Sequence, residues 1–201
     1  MRKKKFKQMK EENNFPTSDQ LERELTHENT RIRYRRTLRG TIFTLITVSA
    51  VAVLVATLLL PVLQIYGTSM TPTLEAGDTV VAVKGTSFET GDVIAFYLTS
   101  NRVLVKRVIA TAGQWVDIDE DGNVYVDGEL LDEPYVDELA YGECDIDLPY
   151  QVPDGQVFVM GDHRSTSVDS RSTSVGCVSE DQIVGRIVFR VWPFSSFGVI
   201  E

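Results

Sequence analysis

Three side chains in this 201-residue sequence stand where covalent chemistry would need them: a serine on a short turn, a lysine inside an apolar run, and a histidine in a charged loop. The serine is Ser69, in Gly67-Thr68-Ser69-Met70-Thr71-Pro72-Thr73-Leu74, directly after a long uncharged stretch. It is either a nucleophile held on a turn or part of a polar linker. A serine hydroxyl is weakly nucleophilic until a base within hydrogen-bond reach takes its proton. His163, in Gly161-Asp162-His163-Arg164, is one candidate base, and with Ser69 and one of several aspartates it would complete a Ser-His-Asp set; the alternative is a surface loop histidine.

Lysine is the other candidate. Beyond residue 64 there are two, Lys84 and Lys106. Lys84 precedes Gly85 in a turn, where it would be solvated and protonated. Lys106 lies in Arg102-Val103-Leu104-Val105-Lys106-Arg107-Val108-Ile109, where strand alternation puts it on the face of Leu104 and Val108, with Arg107 opposite. Burial there disfavours the ammonium and lowers a pKa that starts near ~10.4; a fall of about 3 units corresponds to ~4 kcal/mol. Lys106 is then either a neutral amine able to deprotonate Ser69 or a snorkelling structural lysine. The stretch Met160 to Ser172, MGDHRSTSVDSRS, is too polar for a core. It reads either as a solvated loop of local turns or as the support of a buried amine, with Ser167 orienting Lys106 and an Asp169–Arg171 ion pair fixing the loop.

The elements that must position these groups begin with a charge division. Residues 1–40 hold 12 Lys+Arg against 6 Asp+Glu, net +6, whereas residues 64–201 hold 8 against 23, net −15. No charged residue lies between Arg39 and Glu75, and Thr41–Leu63 is mainly apolar over 23 positions. About 20 such residues cross a bilayer as a helix, and the run is too long for the apolar core of a cleavable signal peptide. Residues 40–63 are therefore expected to be a transmembrane helix. Arg31, Arg33, Arg35, Arg36 and Arg39 against its N-terminal end keep that end cytoplasmic, which places residues 64–201 outside. Residues 1–39 read as a basic, disordered cytoplasmic tail, with Leu21–Arg39 a weak helix leading into the span.

Past Ser69 come short β-branched runs separated by turns: 79–83, 92–98, 102–110, 115–119 and 123–127 on either side of Asp121-Gly122, 156–160, and 183–192. An all-β outer domain follows, with the acidic, Pro- and Tyr-containing residues 132–154 an excursion between strands. Cys144 and Cys177 both fall in this domain, where a disulfide is permitted but not fixed by sequence. His27 and His163 are the only histidines, which argues against a structural zinc site.

Taken together, GTSMTPTL at 67–74, GDVIAF at 91–96, VLVKRVIA at 103–110, VPDGQVFVMGDHRSTSVDSRS at 152–172 and WPFSSFG at 192–198 resemble the boxes of bacterial type I signal peptidases, in family order behind an N-terminal anchor. The resemblance implies a mainly β, antiparallel signal peptidase fold with one N-terminal transmembrane helix and an apolar surface resting on the membrane. It implies a Ser-Lys endopeptidase that removes signal peptides from exported proteins after small residues, the Ala-X-Ala pattern, through an acyl-enzyme. Ser69 matches the nucleophile and Lys106 the general base. Ser167 matches the hydroxyl that orients the lysine. Asp162, Asp169 and Arg171 match the supporting loop, and Met70 and Arg107 the residues following nucleophile and base.

The sequence departs from the family pattern at His163, where asparagine is usual, at RVIATAGQ, and at Gly67, where some members carry an oxyanion-hole serine. Here the hole would rest on backbone amides, at Ser69 and Gly67. No metal or organic cofactor is implied; the expected partners are signal peptides of preproteins and the lipid bilayer, with no nucleic acid and a monomeric state. A self-cleaving repressor-type protease shares the dyad but is soluble and carries a DNA-binding part, against which the apolar run and the outer charge of −15 argue. A catalytically dead homologue that only binds signal peptides is the non-enzyme alternative, and the retained Ser69 and Lys106 oppose it.

Overall fold

The computed structural model describes residues 17–85 and 87–200. Two compact units divide near residue 55. The first is dominated by one helix, α1 (Ser18–Leu59), of 42 residues. Its most apolar window has mean hydropathy 2.3, and residues 41–59 alone span about 30 Å at 1.5 Å per residue, the thickness of a bilayer's hydrocarbon. The expected tail over residues 1–39 is helical from Ser18 onward; its first 16 residues lie outside the described residues.

The helix stops at Leu59, four residues before the expected end of the span at Leu63. Pro61 accounts for the difference: its ring disfavours helical backbone at the preceding residue, and it has no N–H to continue the ladder. Val62–Gln64 instead forms a strand, β1, antiparallel to β2 (Thr79–Val83) with Val62 opposite Val81.

The remaining strands are β3 (Val93–Thr99), β4 (Arg102–Ala110), β5 (Trp115–Ile118), β6 (Val124–Val126), β7 (Glu129–Leu130), β8 (Tyr150–Gln151), β9 (Gln156–Met160), β10 (Val178–Ser179), β11 (Ile183–Trp192) and β12 (Gly198–Val199). All pairings are antiparallel, so the unit is mainly β as expected. The larger sheet runs β1-β2-β11-β3-β4-β9-β10, with β12 on β11; the smaller runs β7-β6-β5-β8. The β5–β6 pair is the hairpin that Asp121-Gly122 signalled.

Period-two alternation sorts the apolar side chains into separate cores. Val93 and Ala95 pack with Ile65, Met70, Leu74 and Ile187, with Val105 against them. Ile94, Phe96 and Val108 pack with Val157 and Val159, with Leu104 against them. A third cluster, around Ile109, Val116, Val124 and Phe158, joins the two sheets. Among the described residues, two of the free strand edges in the large sheet flank the Ser69 turn. Strand β4 pairs with β3 along Arg102–Arg107 but with β9 only from Arg107 onward, which leaves one side of Arg102–Lys106 open. Strand β1, at one end of the sheet, also has an open edge.

Candidate active site

Ser69 sits on a tight turn after β1. Thr71 N–H and the Thr71 hydroxyl both donate to the Thr68 carbonyl, at 3.2 and 2.8 Å, and Leu74 N–H donates to the Met70 carbonyl at 2.7 Å. Met70, 2% exposed, points into the core beside Ile65 and Leu74, and its neighbour Ser69 is half-buried. Gly67 has φ +88°, a left-handed backbone that a serine would adopt only with strain, and nothing lies within 4 Å of where a Cβ would be. Its glycine therefore serves the turn's backbone path.

Lys106 is 2% exposed and its Nζ donates to Ser167 Oγ at 2.9 Å. Burial lowers its pKa to about 8; Asp169 pulls the other way and Arg171 adds to the fall. No hydrogen bond joins this amine to the Ser69 hydroxyl among the described residues. The backbone of the Ser69 turn and the lysine's partner meet at Gly161, whose absent Cβ would lie 2.5 Å from the Ser69 carbonyl oxygen and in contact with Ser167 Oγ.

The loop after β9 is built from buried charges. Asp162 accepts from Arg107 Nε at 3.0 Å and Nη2 at 2.9 Å, a bidentate pair almost without solvent contact. Arg107 also donates to the Gly91 carbonyl at 2.7 Å and lies under the Tyr135 ring, 3.8 Å from its centroid. Asp169 holds Arg171 through both oxygens at 2.9 Å and accepts from Gly161 N–H at 3.0 Å. Burial pushes the Asp169 carboxyl up, but Arg171 and the Gly161 amide outweigh it and the carboxyl ends below its usual range. Arg171 also donates to the carbonyls of Tyr141 at 2.7 Å and Arg164 at 2.9 Å.

Of the residues singled out from sequence, Ser69, Met70, Lys106, Arg107, Asp162, Ser167, Asp169 and Arg171 are linked through these contacts, and Gly67 lies in the turn before Ser69 with no hydrogen bond to them among the described residues. His163 joins this set, but its ring nitrogen Nδ1 lies 3.2 Å from Thr71 Oγ1. The sequence reading missed Glu133, which pairs with the fully buried Arg164, Tyr135, and Gly161 as a point of close approach. The charge on Arg164, in the middle of a motif otherwise assigned, was the one signal for Glu133; Tyr135 had none. Cys144 and Cys177 are both free thiols, and burial pushes Cys177 up to about 11.

Beside Ser69 a groove of about 460 Å³ runs between residues 62–67 and 101–105, the two stretches that include the open edges of β1 and β4. A buried amine with a lowered pKa, a turn serine and an open-edged groove fit a hydrolase of extended peptides.

The relatives agree. Residues 38–192 match the family model described as signal peptidase, peptidase S26. The chain is 40% identical over 152 residues to signal peptidase IB of Staphylococcus aureus (strain COL), covering 66% of this chain and 78% of the relative. It is 37% identical over 167 residues to thylakoidal processing peptidase 1, chloroplastic, of Arabidopsis thaliana, covering 75% of this chain and 46% of that one. A crystal structure of a signal peptidase I from Enterococcus faecalis V583 is 27% identical, covers 50% of this chain and 97% of its own, and superposes with TM-score 0.42. The chain belongs to the signal peptidase family, peptidase S26, and is a membrane-anchored serine endopeptidase of the type I signal peptidase kind.

Proposed function

We propose that the chain cleaves signal peptides from exported preproteins with Ser69 as nucleophile and Lys106 as general base. The observation that carries this is the Lys106 amine: 2% exposed, lowered to about 8, and held by Ser167, whose Oγ and the Ser69 carbonyl both press on Gly161. Neutral Lys106 takes the Ser69 proton as the hydroxyl attacks the scissile carbonyl. The oxyanion accepts from backbone amides of the turn, at Ser69 and Gly67, and the lysine returns its proton to the leaving amine. Water then releases the acyl chain from Ser69, again with Lys106 as base.

The substrate binds as an added strand. Its main chain completes the ladders that β4 leaves open over Arg102–Lys106 and β1 leaves open over Val62–Gln64. The groove beside Ser69 seats the side chains before the cut, which an Ala-X-Ala pattern keeps small. No metal or cofactor takes part, and the enzyme works as a monomer. Residues 1–39 lie in the cytoplasm and the β unit outside, as the arginines before the span direct. Trp192, Phe194, Phe197 and Val199, all more than half exposed, form an aromatic patch suited to lipid contact.

The test is cleavage of a preprotein in detergent or vesicles by the wild type, Ser69→Ala and Lys106→Ala. Activity in the wild type and none in either variant supports the dyad; an inert wild type refutes the assignment. Protease digestion from each side of sealed membranes checks the orientation.

A further inference from the structure

We propose that His163 is a positioning residue for Ser69, acting as a hydrogen-bond donor to Thr71 and not as a base. The inference rests on Ser69 being the nucleophile. Three contacts from His163 converge on the serine turn and the lysine's partner. Its N–H donates to the Ser69 carbonyl at 3.1 Å, its carbonyl accepts from Ser167 N–H at 3.1 Å, and its ring Nδ1 meets Thr71 Oγ1 at 3.2 Å.

Counting protons gives the direction of the ring contact. The Thr71 hydroxyl has one proton, and at 2.8 Å it faces the Thr68 carbonyl, which can only accept. The hydroxyl must then accept from the ring, so Nδ1 carries hydrogen, in the neutral Nδ1–H tautomer or in the imidazolium. With Nδ1 turned to Thr71 the basic nitrogen of the neutral ring is Nε2, and among the described residues no hydrogen bond joins the ring to the Ser69 hydroxyl. The effect of the ring falls instead on the turn: Thr68 and Thr71 flank Ser69, and the ring closes a chain from the loop after β9 through Thr71 to the Thr68 carbonyl.

A donating Nδ1 also decides which residues can replace histidine. An asparagine amide nitrogen is attached to Cγ as Nδ1 is and can donate from the same place. Aspartate can only accept there, and alanine does neither.

The test compares His163→Ala, His163→Asn, Thr71→Val and the Ala/Val double variant, with thermal melts confirming that each is folded. His163→Ala is expected to lower kcat on the order of tenfold through loss of orientation at Ser69, leaving KM and the midpoint of the pH–rate profile in place. His163→Asn should restore the rate to within about threefold, and Thr71→Val should match His163→Ala, with the double variant no worse than either because the two act as one unit. Three outcomes overturn the proposal: wild-type kcat in His163→Ala, additive losses in the double variant, or His163→Asn as slow as His163→Ala with a displaced pH midpoint. Ser69→Ala in the same assay separates this from failure of the nucleophile assignment, since cleavage by that variant would remove Ser69 itself.

Discussion

The Lys106 amine donates to the Ser167 hydroxyl at 2.9 Å from inside a sheet that leaves the lysine 2% exposed. Ser167 therefore holds the amine by a lone pair and keeps its own proton available to Asp169, whose carboxyl it helps to hold down. The relationship ties the acid–base behaviour of one strand to the loop after β9.

Cleavage should rise with pH along a limb whose midpoint is near 8, the value to which burial lowers Lys106, because only the neutral amine can accept the Ser69 proton. A kcat/KM profile over about pH 6–10 checks this. A midpoint above about 10 would mean that the base is an unshifted lysine.

The same shift has a cost in stability with a definite sign. The folded pKa of about 8 lies below the free value of 10.5, so the unfolded chain binds more protons between those limits and stability increases with pH across them. Below about pH 8 the burial penalty, about 3 kcal/mol at 1.36 per unit, is fully present. Lys106→Met should be inactive yet melt higher than the wild type at about pH 7 by a few degrees, with the gap closing by about pH 10.

Ser167→Ala removes the hydroxyl that orients the amine. The expected loss is about tenfold in kcat, the value of one hydrogen bond near ~1.4 kcal/mol, with KM little changed in a steady-state assay.

Gly161→Ala would place a methyl 2.5 Å from the Ser69 carbonyl and against Ser167 Oγ. Backbone must move to admit it, and a shift of about 1 Å at the reacting groups costs on the order of 100-fold in rate. Preprotein cleavage by the folded variant measures it, and a wild-type rate would show that the pocket has room.

Asp162→Ala strands the Arg107 charge in a site that is 1% exposed. Such a loss costs roughly 3–5 kcal/mol, or roughly 10–20 °C in the melting midpoint. Arg186→Ala, which breaks a partly exposed pair with Asp92, should cost less than about 1 kcal/mol. Calorimetry on both variants sets buried pairing against surface pairing in one molecule.

The strands were legible where β-branched residues alternate: β2, β4, β9 and β11 occupy the residues that composition marked for them. Lys106 was legible for the same reason, as a charge on an apolar face. The end of α1 was not, because Val62 and Leu63 are as apolar as the span before them, and only pairing with Val81 and Val80 shows that they belong to a sheet. Glu133 and Tyr135 were opaque because they reach Arg164 and Arg107 from distant parts of the sequence, across an acidic segment whose composition suggested solvent.

The open edge of β4 gives binding and release a common currency in hydrogen bonds. A peptide that attaches by extending a sheet leaves by unzipping it, and one held on both sides of Ser69 shares a single continuous ladder. Cutting that peptide divides the ladder into two shorter ones, each with fewer rungs than the whole. Under the proposed acyl-enzyme mechanism the fragment carrying the new amine unzips first, the acyl fragment follows once water frees it from Ser69, and the sheet returns to being one strand short.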